Sequence, residues 1–441
     1  MTDLMHCDQC EQTFRGRACV EVGVCGKDTD VESLQKTLLY GLKGMAAYAH
    51  HARRLGKSDP EVSAFMEEAL FATMTNVNFD MGNLLDLCMK CGRMNLKVMQ
   101  MLNDGHVDRF GQPAPAKVKV GTNAGPGILI TGHDMLDLHD LLKQVEGTDI
   151  MVYTHGEMLP AHMYPVLHNH PNLAGHFGGP WQKQRSEFED FPGPVLGTTN
   201  CVLIPRANNT YLNRFFTTRA TAVPGAKNIE ENDFSEVIRC AKECAPCAQN
   251  WSGEFTVGFH HSVIQSLTDK IVDAVKAGDI KHFFVIGGCD GAEPGRNYYS
   301  KFAQATPEES LILTLGCGKY RINAHDYGTV NIGGVEVPRL LDMGQCNDAF
   351  GAIKVAVALA KAFGCGVNDL PLSIVLSWFE QKAVAVLLTL LSLDVRGIRI
   401  GPAAPAFISP NVMKILQDKF DLKLIQAKAP EADLAACLSC N

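Results

Sequence analysis

The sequence predicts a mixed α/β protein in which an N-terminal three-helix bundle is followed by two Rossmann-like α/β domains. Three observations carry this expectation. Apolar positions recur at helical spacing from Val31 to about Phe110. Beyond the linker Gln112-Pro113-Ala114-Pro115, short apolar runs alternate with helical segments. Several of those runs break at glycine just before a cysteine, a histidine or a carboxylate, the place where α/β folds put chemistry. The expected units are 1–112, 113–254 and 255–441.

A chain of 441 residues has ample capacity to bury apolar surface in more than one unit. Its 40 Lys and Arg stand against 48 Asp and Glu, a net charge of −8 without long single-sign runs, which argues against a nucleic-acid or anionic-membrane partner and favours a small-molecule substrate. The opening residues lack the charged start and apolar run of a signal peptide, and no uninterrupted apolar stretch reaches membrane-spanning length, so a cytoplasmic protein is expected. In a reducing compartment, 16 cysteines point to metal ligation or redox chemistry rather than to a disulfide framework.

The first motif is Cys7-x2-Cys10-x8-Cys19-x5-Cys25, set among Gly16, Gly23 and Gly26. Four thiolates on a glycine-containing loop can surround one iron–sulfur cluster, and the same soft ligand set permits zinc. Three helices follow, with Asp30 or Asp59 and Asp80 as N-caps. Cys88 and Cys91 share a face of the third helix and read as core residues.

The next segment reads as a βαβ unit: strand 127–132 ending at His133, a helix through Val145, and strand 149–153 ending in Thr154-His155-Gly156-Glu157. His133 and Glu157 thus occupy equivalent strand ends, although each taken singly also reads as an ordinary polar loop residue. The run 194–201 brings Cys201 to a similar end. In Cys240-x3-Cys244-x2-Cys247 the spacing superficially resembles the cluster motif of radical S-adenosylmethionine enzymes, but it follows a helical run, 234–242, so Cys244 and Cys247 read as a surface redox pair.

The last unit holds three strand-like runs, 281–291, 310–318 and 339–346, which end on the Gly-flanked cysteines Cys289, Cys317 and Cys346. Three thiolates converging at one sheet edge suggest a metal cluster. Residues 377–393 read as a strongly apolar helix with Glu380 and Lys382 near its beginning; the pair reads equally as solvent-facing ends of a buried helix. Strands at 395–401 and 421–425 flank a helix at 410–419, and Cys437-x2-Cys440 lies on a tail that reads as a mobile dithiol or as disordered.

Taken together, GHD at 132–134, THGE at 154–157, TNC at 199–201, GGCDG at 287–291, LGCGKYR at 315–321, GQCND at 344–348 and WFEQKA at 378–383 resemble the hybrid-cluster (prismane) protein family, whose enzymes are called hydroxylamine reductases. The resemblance spans almost the whole chain. It implies that Cys7, Cys10, Cys19 and Cys25 hold a [4Fe-4S] cluster, and that His133, Glu157, Cys201, Cys289, Cys317, Cys346 and Glu380 hold a hybrid [4Fe-2O-2S] cluster with Cys289 as the persulfide. Glu157, Glu380, Lys382 and Cys289 are the implied catalytic residues. The hard donors, His and two carboxylates, suit irons that bind oxygen or nitrogen atoms.

The resemblance also implies an anaerobic oxidoreductase that converts hydroxylamine to ammonia and water with electrons from a donor protein, and it raises a homodimer as one assembly. Typical members have a longer helical region before the GHD strand, so this chain looks like a short form. Carbon monoxide dehydrogenase is a related enzyme alternative, disfavoured by the motif set. From another class, the alternative is a nitric oxide reductase or scavenger, or a thiol-based nitrosyl-transfer and redox-sensing protein.

Overall fold

The structure is a computed structural model that describes residues 4–439. Three helices open it after the cysteine loop: α1 (Thr29–Arg54), α2 (Pro60–Ala72) and α3 (Met81–Phe110). Each starts on an aspartate whose side chain accepts a backbone N–H of the first turn, namely Asp28, Asp59 and Asp80. The α1 cap is therefore Asp28 and not Asp30. Asp30 sits in the first turn, where it accepts from Ser409 and Asn411 and ties α1 to the C-terminal part of the chain.

Among the described residues the remaining chain builds an eight-stranded sheet, a six-stranded sheet and a two-stranded hairpin. The strands of the first sheet are β1 (Ala116–Thr122), β2 (Gly127–Thr131), β3 (Met151–His155), β4 (Leu173–His176), β5 (Val195–Gly197), β6 (Phe215–Thr218), β7 (Lys227–Ile229) and β8 (Asn250–Val257). Their order is β7-β6-β5-β2-β3-β4-β1-β8. All neighbours run parallel except β1 and β8. Because β8 runs to Val257, the junction expected after 254 falls inside a strand of this sheet.

The hairpin is β11 (Thr329–Ile332) with β12 (Val335–Pro338). The second sheet comprises β9 (His282–Gly288), β10 (Ser310–Thr314), β13 (Leu340–Asp342), β14 (Leu372–Ser377), β15 (Arg399–Gly401) and β16 (Lys423–Leu424). Its order is β13-β10-β9-β14-β15-β16, wholly parallel. Central strands such as Ser310–Thr314 are buried at every position, as near-continuous apolar runs covered on both faces must be.

The N-terminal helices do not stand apart. One apolar core runs from Leu38, Met45 and Cys91 through Leu388 to Phe283, Leu311 and Ile374, joining the helical layer to one face of the second sheet. The helix Gln381–Ser392 lies against both α1 and α3. Its approach to α3 rests on Gly92, where a β-carbon would fall 2.1 Å from the Leu388 carbonyl oxygen. The Thr389 hydroxyl donates to the Gly92 carbonyl at 3.0 Å, and Asn95 donates to Thr389 at 2.9 Å. The residues Ser377 to Glu380, expected as the start of this helix, are instead the end of β14 and its cap.

The C-terminal cysteine tail also differs from expectation. Cys437 lies in the helix Pro430–Ser439 and is buried against a core containing Tyr298 and Phe302, while Cys440 lies outside the described residues.

The packing at Gly92 gives a direct test. Gly92→Ala should destabilise the protein by about 1–3 kcal/mol by wedging two helices apart. Gly253→Ala, where a β-carbon meets nothing within 4 Å, should leave the thermal midpoint followed by circular dichroism essentially unchanged. Coincident melting of Gly92→Ala and wild type would show that the contact yields.

Candidate functional site

The residues expected at the site each follow the carboxyl end of a parallel strand. His133 follows β2, Glu157 follows β3, Cys201 follows β5, Cys289 follows β9, Cys317 follows β10, Cys346 follows β13 and Glu380 follows β14. The two sheets present these ends to one another. Gln345 donates from Nε2 to the carbonyls of His133 (3.1 Å) and Glu157 (2.7 Å). The Tyr320 hydroxyl donates to the Gly156 carbonyl at 2.7 Å, and the Trp181 indole to the Asp290 carbonyl at 3.0 Å. The crevice between the sheets is thereby fixed by hydrogen bonds from both sides.

Inside it, donor atoms of His133, Glu157 and Cys346 all lie within 4.8 Å of one another. The Cys346 backbone N–H donates to Glu157 Oε2 at 3.0 Å, and that oxygen lies 3.9 Å from His133 Nε2. Cys201 and Cys289 lie within electrostatic reach of Cys346 and Glu380, and Cys317 lies within reach of Glu157, Cys201 and Cys289. Lys382, 3 % exposed, is not at a solvent-facing helix end. Its ammonium donates to His133 Nε2 at 2.9 Å and to Asn200 Oδ1 at 3.1 Å, and lies 3.7 Å from Glu380 Oε1. Glu380 caps its helix by accepting the Lys382 backbone N–H.

Local sequence explains this convergence. In GHD, Gly132 adopts a positive φ of 109°, and a β-carbon there would lie 2.5 Å from Thr198 Oγ1. The Asp134 carboxylate caps the helix α4 (Met135–Val145) and pairs with Arg54 of α1. Thr199 holds the His133 ring through Nδ1 at 2.8 Å, so Nε2 faces the crevice. Cys201 itself stands in the left-handed region, φ 68°, a conformation that costs a non-glycine residue about 1–2 kcal/mol. In LGCGKYR, the buried Lys319 ammonium meets Asp342 at 2.6 Å and the Gly344 carbonyl at 2.7 Å, joining the Cys317 and Cys346 loops. Arg321 clasps Asp290 at 2.8 Å, beside Cys289.

Burial dominates the electrostatics. It pushes the thiols of Cys201 and Cys317 well above the ordinary cysteine range, raises Cys289, and raises Cys346 to about 11. Burial also raises the Glu157 carboxyl, against the pull of Lys319 and Lys382. Burial and the neighbouring Lys382 charge hold His133 well below the ordinary imidazole range, which leaves its ring neutral and able to ligate. For Lys382, burial acts to lower the value and the neighbouring Cys346, Glu380 and Cys201 act to raise it, with a net upward direction. A site with buried thiols, two carboxylates and one neutral imidazole fits a metal cluster, because metal charge is what stabilises thiolates in a desolvated place. The buried Oε1 of Glu157, which has no hydrogen-bond partner among the described residues, fits the same reading.

The N-terminal cysteine loop lies along α1. Cys7 and Cys19 are buried and face each other across paired backbone hydrogen bonds, Cys10 is half-buried and Cys25 is exposed. Buried Lys27 donates to Gln35 at 2.9 Å, pairs with Glu32, and is held positive by Glu32 and Cys7. Cys88 and Cys91 are buried in the helical core. The expected pairing of Cys244 with Cys247 is not found: Cys247 is buried near Phe191 and Tyr153, and the neighbour of Cys244 is Cys240.

Sequence reasoning missed Tyr48. Its hydroxyl, carried by α1 and buried, donates to Cys346 Sγ at 3.2 Å. Nothing distinguished it from the Leu42 and Met45 stripe on the same helix. Gln345, Thr199 and Asn200 were also missed as support residues, although each stands inside a motif.

The profile described as the Prismane/CO dehydrogenase family matches residues 5–87 and 55–435. The chain is 58% identical over 434 residues to the hydroxylamine reductase of Moorella thermoacetica, covering 98% of this chain and 100% of that one. It is 48% identical to the hydroxylamine reductase of Thermotoga maritima, covering 98% and 99%. Against the hydroxylamine reductase of Geobacter sulfurreducens it is 53% identical, covering 93% of this chain but 73% of that longer one. Among solved structures, carbon monoxide dehydrogenase IV from Carboxydothermus hydrogenoformans superposes over 98% of this chain and 92% of its own with a TM-score of 0.77 at 15% identity, a likeness of fold. Membership of this family implies iron–sulfur clusters, and no helix among the described residues is long and apolar enough to cross a membrane. The chain belongs to the Prismane/CO dehydrogenase family.

Proposed function

We propose that this protein is an iron–sulfur reductase that converts hydroxylamine to ammonia and water, NH2OH + 2e⁻ + 2H⁺ → NH3 + H2O. The observation that carries the reading is the mixed donor set at the facing sheet edges with a buried ammonium against it, in a chain 58% identical to a hydroxylamine reductase. Cys7, Cys10, Cys19 and Cys25 would hold a [4Fe-4S] cluster. His133, Glu157, Cys201, Cys289, Cys317, Cys346 and Glu380 would hold the hybrid [4Fe-2O-2S] cluster, with Cys289 as its persulfide. When bound, the clusters supply the two electrons and a Lewis-acidic iron.

The chain's own residues supply the rest. Lys382 places a protonated amine beside His133 and Glu380, the side of the crevice richest in hard donors, and is the proton source for the departing oxygen. Asn200 steers that ammonium through its side-chain oxygen at 3.1 Å. His133 and Lys382 are buried while Asn200 reaches the surface, so protons arrive at the ammonium from that side.

A second reading, turnover of nitric oxide at the same site, is favoured by one feature. A cavity of about 430 Å³, lined by Phe283, Leu311, Leu313 and Ile374, reaches Cys289, Cys346 and Lys382. Such a lining suits a small uncharged molecule of low polarity. Turnover numbers with hydroxylamine and with nitric oxide, measured on one cluster-replete sample, decide between the readings.

Anaerobically prepared protein should contain about eight irons per chain, the sum of two four-iron clusters. Zinc at the N-terminal loop with no cluster signal in electron paramagnetic resonance would refute that assignment. Cys289→Ala should abolish most hydroxylamine turnover while Cys88→Ala keeps both iron and activity, and equal loss in the two would refute the division between site and core cysteines.

Lys382→Met should lower turnover at least about tenfold with iron content preserved, a bound at the cautious end for general acid catalysis. Full activity would remove Lys382 from the mechanism. Tyr48→Phe deletes a hydrogen bond to a sulfur that would ligate the cluster, so it should shift the hybrid-cluster midpoint to lower potential in a redox titration. An unchanged midpoint would make Tyr48 a packing residue only.

A further inference from the structure

The geometry points to a second, separate redox site: Cys240 and Cys244 form a dithiol that closes reversibly to a disulfide at the expense of a low-molecular-weight disulfide. Their sulfurs lie 3.7 Å apart. Cys240 sits on the last full turn of the helix Ser235–Glu243, and Cys244 is that helix's C-cap, its N–H donating to the Cys240 carbonyl at 2.9 Å. Both thiols are partly accessible, and Cys244 is followed by exposed Ala245 and Pro246. A disulfide requires the sulfurs to close to about 2.05 Å, which asks for side-chain rotation at the end of a helix where the chain is already leaving regular structure.

The surroundings suit the chemistry. A helix C-terminus disfavours a thiolate, and burial with the neighbouring Cys244 and Glu243 pushes the Cys240 thiol up to about 12, so Cys240 is the poorer first nucleophile; the guanidinium of Arg214, held in place by the carbonyls of Phe188 and Gly193, pulls weakly the other way. Cys240 packs against the apolar core beneath its helix, so Cys244 attacks first and Cys240 resolves. The Cys244 thiolate attacks one sulfur of the small disulfide, that S–S bond breaks and one small thiol leaves. Cys240 then displaces the second small thiol as the Cys240–Cys244 bond forms. The small disulfide gains two electrons and two protons, and the two cysteines give them up. Cys247 takes no part: it is buried, and its backbone is paired with Gly125 through hydrogen bonds of 2.8 and 3.1 Å. That pairing carries the chain from the dithiol to the residue two before β2, the strand that leads to His133.

The test uses the cluster-loaded full chain, kept anaerobic and equilibrated with oxidised and reduced glutathione at graded ratios. Remaining thiols are then alkylated, and the protein is digested with trypsin and mapped by mass spectrometry. Cleavage after Arg239 and Lys242 releases Cys240 in a tripeptide, so the linked product is distinctive. At oxidising ratios the tripeptide should be joined to Cys244 in at least tenfold excess over its reduced form, and dithiothreitol should release it. Cys240→Ser should accumulate a glutathione adduct on Cys244 with iron content equal to wild type. Both cysteines remaining alkylated, separate glutathione adducts on each in wild type, or a link to Cys247 would each overturn the proposal. So would loss of iron in Cys240→Ser, which would make Cys240 a cluster residue. None of these outcomes bears on hydroxylamine turnover, so the dithiol and the proposed enzyme activity stand or fall separately.

Discussion

Four thiols and two carboxylates gathered into one buried crevice repel one another as soon as they ionise, and most of the surrounding structure bears on where the opposing charge comes from. Burial holds Cys201, Cys289, Cys317 and Cys346 in their neutral forms, so the protein alone cannot make them thiolates at neutral pH. Two lysines are buried here, and they are used differently. Lys319 is neutralised by Asp342 and serves as a clamp between two cysteine loops. Lys382 lies 3.7 Å from a carboxylate that is itself an expected ligand, so its charge is set by whatever that carboxylate is doing. A cation bound between the sheets and the Lys382 ammonium therefore share one electrostatic role, which ties the proton inventory of the site to its metal.

That dependence explains why helices distant in sequence are packed so closely. Gly44 lets α1 approach the chain at Gln381 so nearly that a β-carbon would lie 2.3 Å from its carbonyl oxygen, and Gly92 does the same for α3 at Leu388. The result fixes the start of the helix that carries Glu380 and Lys382. From the same α1, Tyr48 reaches Cys346 and Arg54 reaches Asp134, one residue from His133. The helical layer is thus the third wall of the crevice, and the loop with the first four cysteines lies along the outer part of that wall, where His6, Asp8, Lys36, Tyr40 and Lys43 border one groove.

The parallel-sheet architecture was legible because buried parallel strands are continuous apolar runs, and because a strand that stops at glycine before a cysteine or histidine advertises its carboxyl end. The same logic brought out His133, Glu157, Cys201, Cys289, Cys317 and Cys346 as strand-end residues one at a time, whereas Glu380 read as part of a helix beginning. What the residues could not reveal unaided was that two separate sheets present these ends to each other, since nothing local encodes the contact of Gln345 with His133 and Glu157. Boundaries slipped where two signals competed. Ser377 to Phe379 carried apolar character that continued smoothly into a helix, yet β14 claims Ser377 through pairing with Gly288 and Gly401. The thiol pairing was misread for a different reason: Cys244-x2-Cys247 looks like a redox spacing, but a helix end places residues four apart together, and Cys247 is drawn inward by the β-bridge to Gly125.

The crevice has two unlike walls, and their difference bears on which nitrogen compound can be processed. Lys382 and Asn200, beside His133 and Glu380, form a polar side in which the ammonium is already paired, so a polar substrate must compete for it. Hydroxylamine can do so because both its nitrogen and its oxygen donate and accept, replacing each hydrogen bond it interrupts. The apolar cavity beside Cys289 offers no such exchange, and a polar molecule crossing it would leave water without compensation. A diatomic of low polarity loses little there but gains nothing from the polar wall until it has been reduced and protonated. The chain therefore sets a cavity suited to an uncharged, weakly polar molecule beside a polar wall suited to a protonated, hydrogen-bonding one. That order favours chemistry in which polarity grows as electrons and protons are added.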